Sequence, residues 1–192
     1  MYLNFIGAPC SGKTTSAAKL FAELKEMGLE VEFISEYARL YIAKKRIIND
    51  LKPINLDSSD QYQIFCGQLD LETTMSKSGG TSTIIISDSS VWNSCLYMEP
   101  EYREKFKESL EYKQAVSRFT IEKNLNVILS PVERPFTPDS NRVHSKEESL
   151  KIHDNIRGVL DDLLPGNKFP MLFGSVEERH KALVKLVFEK YY

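Results

Sequence analysis

Gly7, Gly12, Lys13 and Thr14 fall in the spacing Gly-x-x-x-x-Gly-Lys-Thr, which suits a loop folded around a polyphosphate. The glycines permit backbone angles that a Cβ would strain. Successive N–H groups can then point inward, and a helix that follows turns its positive end to the anion. Gly7, Pro9, Cys10, Ser11, Gly12, Lys13, Thr14 and Thr15 are therefore the expected nucleotide-binding set. Lys13 is expected to reach the β- and γ-phosphates of ATP, and Thr14 to hold Mg²⁺ through its hydroxyl. Cys10 occupies a variable position of this loop, where a tolerated small residue is favoured over a redox-sensitive thiol.

Other chemistry-bearing residues lie further along. Asp88 follows the β-branched run 83–87, and ligands of open α/β sheets gather at the carboxyl ends of strands. It is read as a ligand of Mg²⁺, directly or through water, or as a general base; a helix N-cap is compatible with either role. Glu36 and Arg39, in the block Glu36-Tyr37-Ala38-Arg39, border the same edge. Glu36 could accept a proton from a sugar hydroxyl, and Arg39 could pair with Glu36 or bind phosphate. A solvated helix start explains the block equally well. Residues 135–142 contain Asp139 and Arg142 in a proline-rich stretch. Arg142, or Arg134, is a candidate for stabilising charge on a transferring phosphoryl group from a lid, about residues 131–145, that also excludes water. An ordinary exposed loop is the competing reading. Trp92, Asn93 and Tyr97 follow Asp88, and Gln61, Gln63 and Gln68 precede it. Aromatics can stack on a base and amides can read one, although Trp92 also suits core packing and the glutamines a solvated face.

These residues need a scaffold. Residues 2–6 read as a buried strand, followed by a helix with Ala17, Leu20, Phe21 and Leu24 on one face and Gly28 as its C-cap. Residues 30–35 read as a second strand and 36–48 as a helix. Ser58 or Ser59 is expected to cap a helix running to about residue 75, with Tyr62, Phe65 and Leu69 inward. Strands follow at 83–87, 125–129 and 168–173. One or two helices fill 90–123. Ser145 with Glu148 resembles a capping box opening a helix to about residue 164, and a last helix uses Leu183, Leu186, Val187 and Tyr191. Alternating strands and helices predict one α/β domain over 1–192, a three-layer fold with a five-stranded parallel sheet, helices on both faces and a lid loop.

Composition excludes several classes. The 192 residues include 25 Lys+Arg against 27 Asp+Glu, a formal charge of -2, without the basic excess usual in nucleic-acid binders. DNA is thus disfavoured as a partner. No apolar run approaches the ~20 residues that span a bilayer, and Met1 leads straight into a strand, so neither anchor nor leader is expected. Cys10, Cys66 and Cys95 lack metal-ligand spacing, and His144, His153 and His180 do not cluster. A soluble, cytoplasmic protein is the expectation. The oligomeric state stays open, a homodimer included.

Taken in order, GAPCSGKTT, ISEYAR, a strand ending in Asp and the Pro-x-x-x-Asp-x-x-Arg of residues 135–142 make the chain resemble the ribosylnicotinamide-kinase-like branch of P-loop kinases and ATPases. The resemblance spans roughly residues 1–160. It implies a nucleoside-kinase-like fold in which Glu36 and Asp88 border the acceptor site and Asp139 and Arg142 belong to the lid. Two features depart from it: Ser89 and Ser90 stand where relatives often carry a further acid or an Arg, and Phe136 where they tend to carry Trp. The expected reaction is transfer of a phosphoryl group from Mg·ATP to a hydroxyl of a small nucleoside or nucleotide. The alternatives are a kinase acting on a modified base or hydroxyl within DNA, and a P-loop ATPase or nucleotide switch without a small-molecule acceptor. A hexameric AAA+ motor is poorly supported, since the chain ends about one helix after the fifth strand.

Overall fold

A computed structural model describes residues 1–80, 82–121, 124–131 and 145–191. Five strands form one sheet: β1 (Tyr2–Ile6), β2 (Val31–Ile34), β3 (Ile84–Ser87), β4 (Asn124–Leu129) and β5 (Met171–Leu172). Their spatial order is β2-β3-β1-β4-β5, and every pairing is parallel. The chain leaves β1 toward β2 on one side and leaves β4 toward β5 on the other, which opens a crevice at the carboxyl end of β1.

The central strands are apolar because both faces are covered. Leu3 and Phe5 of β1 pack with Ala17, Leu20 and Leu24 of α1 (Lys13–Glu26) and with Leu183 and Val187 of α7 (Val176–Tyr191). On the opposite face Ile6 and Ile128 join Phe65 and Leu69 of α3 (Ser58–Ser78) and Ile156 and Leu160 of α6 (Lys146–Leu163). The three-layer α/β architecture expected from the sequence is present. α1 ends as anticipated: Gly28 takes φ +78, and the N–H groups of Gly28 and Leu29 return to the carbonyls of Lys25 and Leu24 at 2.9 and 3.1 Å. Only an achiral residue adopts that turn without strain.

The structure differs from expectation at three places. The cap of α3 is Asp57, one residue before the serines: its side chain accepts from Asp60 N–H while Asp60 accepts from Asp57 N–H. Here an Asp does the reciprocal work that Glu or Gln usually does. Region 90–123 holds three helical pieces, a 3-10 segment (Val91–Tyr97), α4 (Pro100–Phe106) and α5 (Leu110–Ile121). The fifth strand is two residues long. The capping box of Ser145 and Glu148 forms as read.

Two helices build a wall beyond the sheet edge. Gln68 of α3 stands at the carboxyl end of β3, where its amide donates to Ser87 Oγ at 3.1 Å. The first third of α3 therefore extends past that edge. α2 (Tyr37–Ile48) runs beside it, joined by Tyr41 to Asp60 at 2.7 Å and by an ion pair between Lys45 and Asp60. Gln68 also caps α2 from outside, accepting Tyr37 N–H at 2.9 Å. Gly67 makes this contact close: a Cβ there would lie 2.1 Å from the Tyr37 ring.

Candidate active site

β1 ends at Ile6 and the chain turns at Gly7 over the carboxyl edge. A Cβ on Gly7 would stand 2.5 Å from Ser11 Oγ and 3.0 Å from Leu129 O. Cys10 and Gly12 adopt φ of +64 and +87, and a left-handed pair of this kind curls the backbone into an anion-binding nest. The helix α1 starts directly after Gly12. Ser11 is buried beneath the turn, while Thr14 and Thr15 face out and Pro9 and Cys10 are half-buried. Cys10 holds a non-glycine residue in the left-handed region, which stores local strain at the loop.

Lys13 crosses the nest, donating to the carbonyls of Gly7 at 2.8 Å and Ala8 at 3.1 Å. Burial lowers its pKa, and the carboxylates of Glu36 and Asp88 work against that shift. A desolvated ammonium here gains from an anion brought into the loop.

Asp88 sits one residue past β3, its N–H on Ile34 O at 2.9 Å. Its Oδ2 accepts from Thr14 Oγ1 at 2.9 Å. Its Oδ1 is buried with no hydrogen-bond partner. Burial pushes the carboxyl pKa up, the Thr14 hydroxyl opposes this, and the field of Glu36 adds to the rise. An acid with one oxygen on the loop hydroxyl and the other unsatisfied fits a hydrated divalent cation, which would supply the missing partner. No cluster of three or more His, Cys, Asp or Glu side chains capable of holding a metal occurs among the described residues. A Mg²⁺ ion here would therefore rely on phosphate oxygens and water for its remaining ligands.

Glu36 enters from β2. Its carboxylate accepts from Arg39 Nε at 3.3 Å, and its charge is felt at Lys13, Asp88 and Tyr97. Tyr97, half-buried at the end of the 3-10 segment, has its pKa raised mainly by burial and then by Glu36 and Cys10. The structure thus brings together Lys13, Thr14, Asp88, Glu36 and Arg39, and adds Tyr97. Asp139 and Arg142, with Arg134 and Phe136, lie outside the described residues.

Trp92 is not part of this group. It is 2 % exposed, with its ring edge-on to Phe65 at 5.7 Å and to Tyr112 at 6.1 Å. The 3-10 segment turns this indole into the core between α3 and α5, which favours the core-packing alternative over a place among the substrate-binding residues. Gln68 is likewise buried and committed to Tyr37 and Ser87, whereas Gln63 is exposed.

Three contributors escaped the sequence reading of the loop. Asn93, weighed there as a base reader, is 6 % exposed. It accepts Gly7 N–H at 3.1 Å and donates to Phe5 O and Ser89 Oγ, each at 2.8 Å. Ser149 of α6 donates to Pro9 O at 2.6 Å. Arg179 of α7 donates to Ser11 O at 2.9 Å and Pro131 O at 3.3 Å. A signal for Arg179 existed: it lies between Val176 and Leu183 at helical spacing, so a charge stands on the apolar stripe. Nothing in the sequence marks Ser149.

A family model described as AAA domain, AAA_28, matches residues 3–179. The chain belongs to this family. Among solved structures, the AAA_28 chain is similar to a NadR protein in complex with NR, at TM-score 0.71 and 16% identity over 99% of this chain and 51% of that one. It is also similar to a NadR protein in complex with NAD and AMP-PNP, at TM-score 0.67 and 17% identity over 99% and 49% of the two chains. A third likeness is to thymidylate kinase from Candida albicans, at TM-score 0.62 and 13% identity over 100% and 93%. The chain spans about half the length of the two NadR chains. No curated protein matches it in sequence. These likenesses establish the P-loop α/β fold, which is the fold expected from the sequence. Among the described residues no helix is long and apolar enough to cross a membrane.

Proposed function

We propose that this AAA_28 chain is an ATP-dependent phosphotransferase acting on a hydroxyl of a small nucleoside or nucleotide, of the ribosylnicotinamide-like kind. The observation that carries the proposal is the Thr14–Asp88 hydrogen bond of 2.9 Å at the mouth of the nest, with Asp88 Oδ1 left unpartnered and Glu36 facing it from β2. The likenesses to NadR proteins in complex with NR and with NAD and AMP-PNP favour a nucleoside acceptor.

Each residue has a place in the reaction. The loop amides and the start of α1 bind the phosphates, and Lys13 leaves its carbonyls for the β- and γ-oxygens. Thr14 and Asp88 would hold Mg²⁺, which when bound neutralises phosphate charge. That duty occupies Asp88, so Glu36 is the group that orients the acceptor hydroxyl. The hydroxyl oxygen attacks the γ-phosphorus, its proton passes to Glu36, and the bond to the β-phosphate oxygen breaks with its electron pair staying on ADP. Arg39 holds Glu36 in place. Arg142 and Asp139 belong to this proposal through the resemblance alone, with Arg142 supplying positive charge to the transferring group.

The test uses γ-labelled ATP with Mg²⁺ and separate arms for nucleosides including ribosylnicotinamide, nucleotides, duplex DNA and no acceptor. Label should move to a nucleoside or nucleotide. Label appearing only as free phosphate would replace the kinase with a P-loop ATPase, and label on DNA would change the acceptor class.

A further inference from the structure

Among the described residues, Arg179 is the largest charged side chain that is fully enclosed, at 1 % exposure. A buried charge ordinarily has a counter-charge, because removing an ion from water costs far more than a hydrogen bond returns. Arg179 has none: among the described residues no carboxylate pairs with it, and its partners are two carbonyls, Ser11 O and Pro131 O. Its Nε is buried and unpartnered. His153, a titratable group of α6 that feels the Arg179 charge, is held below its ordinary pKa chiefly by burial. Burial alone lowers the pKa of Arg179, with no acid opposing it.

The position of this cation is informative. Ser11 C=O and Gly12 N–H belong to one peptide unit, and no peptide bond of the described chain is cis. In a trans peptide the two groups point in opposite directions. A guanidinium on Ser11 O therefore leaves Gly12 N–H pointing away from itself and polarises it as a donor.

We propose that Arg179 is a positioning residue of the phosphate loop: it fixes and polarises the Ser11–Gly12 peptide, and a polyphosphate in the loop supplies the counter-charge that the described residues do not. This rests on the nucleotide-binding reading above and adds to it a cation outside the Gly-x-x-x-x-Gly-Lys-Thr segment. In this arrangement ligand binding relieves a standing electrostatic penalty in the protein.

The consequences separate this role from simple packing. Arg179→Met removes the charge and keeps much of the bulk; Arg179→Lys keeps the charge and loses the fork. Thermal melts and calorimetry with Mg·ATP, and with inorganic tripolyphosphate as a probe lacking the base, read both variants. Arg179→Met should melt no lower than the wild type without ligand, since loss of an uncompensated charge offsets loss of its hydrogen bonds. Its affinity for both probes should fall about tenfold or more, the scale of a charged hydrogen bond. Its melting-temperature gain with Mg·ATP should shrink accordingly. Arg179→Lys should recover most of the affinity. In turnover, KM for ATP should rise while kcat at saturation stays near the wild type. A Met variant that is destabilised without ligand yet binds both probes as the wild type does would overturn the proposal, as would equal affinity losses in Met and Lys. If Arg179→Met does not fold, Arg179→Gln against Arg179→Lys carries the same comparison. Wild-type protein that fails to bind Mg·ATP would sink the nucleotide reading itself; wild-type binding with unaltered variant binding would sink only the role of Arg179.

Discussion

Replacing Asn93 with Ala tests how the loop is anchored, because one buried amide serves three groups on two elements. In the wild type it takes Gly7 N–H at 3.1 Å and supplies Phe5 O and Ser89 Oγ at 2.8 Å. Phe5 O keeps a second donor in Asn93→Ala, since Ser90 N–H also reaches it at 2.9 Å. Gly7 N–H loses its acceptor in a region with little water access, a loss of about 1–3 kcal/mol, and the two other bonds add about 0.5–1.5 kcal/mol between them after relaxation. The sum is about 3 kcal/mol, or a fall in melting temperature of about 6–12 °C for a domain of this size. Gly7 then loses its fixed position, and kcat/KM for ATP should fall about tenfold to a hundredfold, since small misplacements of reacting groups are that costly. Differential scanning calorimetry and steady-state kinetics read the two effects. A melting temperature within about 2 °C of the wild type, together with unchanged kcat/KM, would refute the claim that Asn93 pins the loop.

The other predictions concern charge and packing. Lys13→Ala should abolish phosphoryl transfer while the protein still melts cooperatively; measurable turnover would remove Lys13 from the mechanism. Asp88→Asn should also abolish transfer, but without Mg²⁺ it should melt higher than the wild type at neutral pH. The sign follows from the raised pKa of Asp88. The folded state holds that proton more tightly than the unfolded chain, so stability falls as pH rises through the folded pKa and the carboxylate ionises. Melts of both proteins across pH 4–8 in EDTA should converge toward the acid end, and parallel curves would contradict the assignment. Trp92→Phe should lower the melting temperature while leaving KM for the acceptor unchanged; a raised KM would return Trp92 to the site.

The phosphate loop and its flanking elements were legible because local chemistry dictates them. Glycines, a lysine and a threonine at fixed spacing, after a β-branched strand and before an amphipathic helix, admit few other arrangements. Asp88 and Glu36 were legible for a related reason: each follows a strand whose carboxyl end must border the crevice. The supports of the loop were harder to read because they arrive from 80 to 170 residues away, and no local pattern reports such contacts. Asn93 stood among residues suited to base recognition, and only the turn of the 3-10 segment shows that it faces inward. Trp92 was ambiguous for the same reason: an indole suits a ligand and a core equally until its neighbours Phe65 and Tyr112 are known. The α3 cap was misread by one residue because Asp57, Ser58 and Ser59 are all competent N-caps and only the reciprocal bond to Asp60 distinguishes them.

Gly67 sets stability against aim. A glycine in the interior of a helix forgoes about 1 kcal/mol relative to alanine, so an effort to make this protein hardier would replace it early. The tyrosine lying against it is the first residue of the helix that follows Glu36, and any added methyl must displace that ring. Under the proposed function, the displaced ring would carry the start of its helix outward and swing the Glu36 carboxylate away from the acceptor. On that reading, helix propensity and aim toward the acceptor pull in opposite directions at this position.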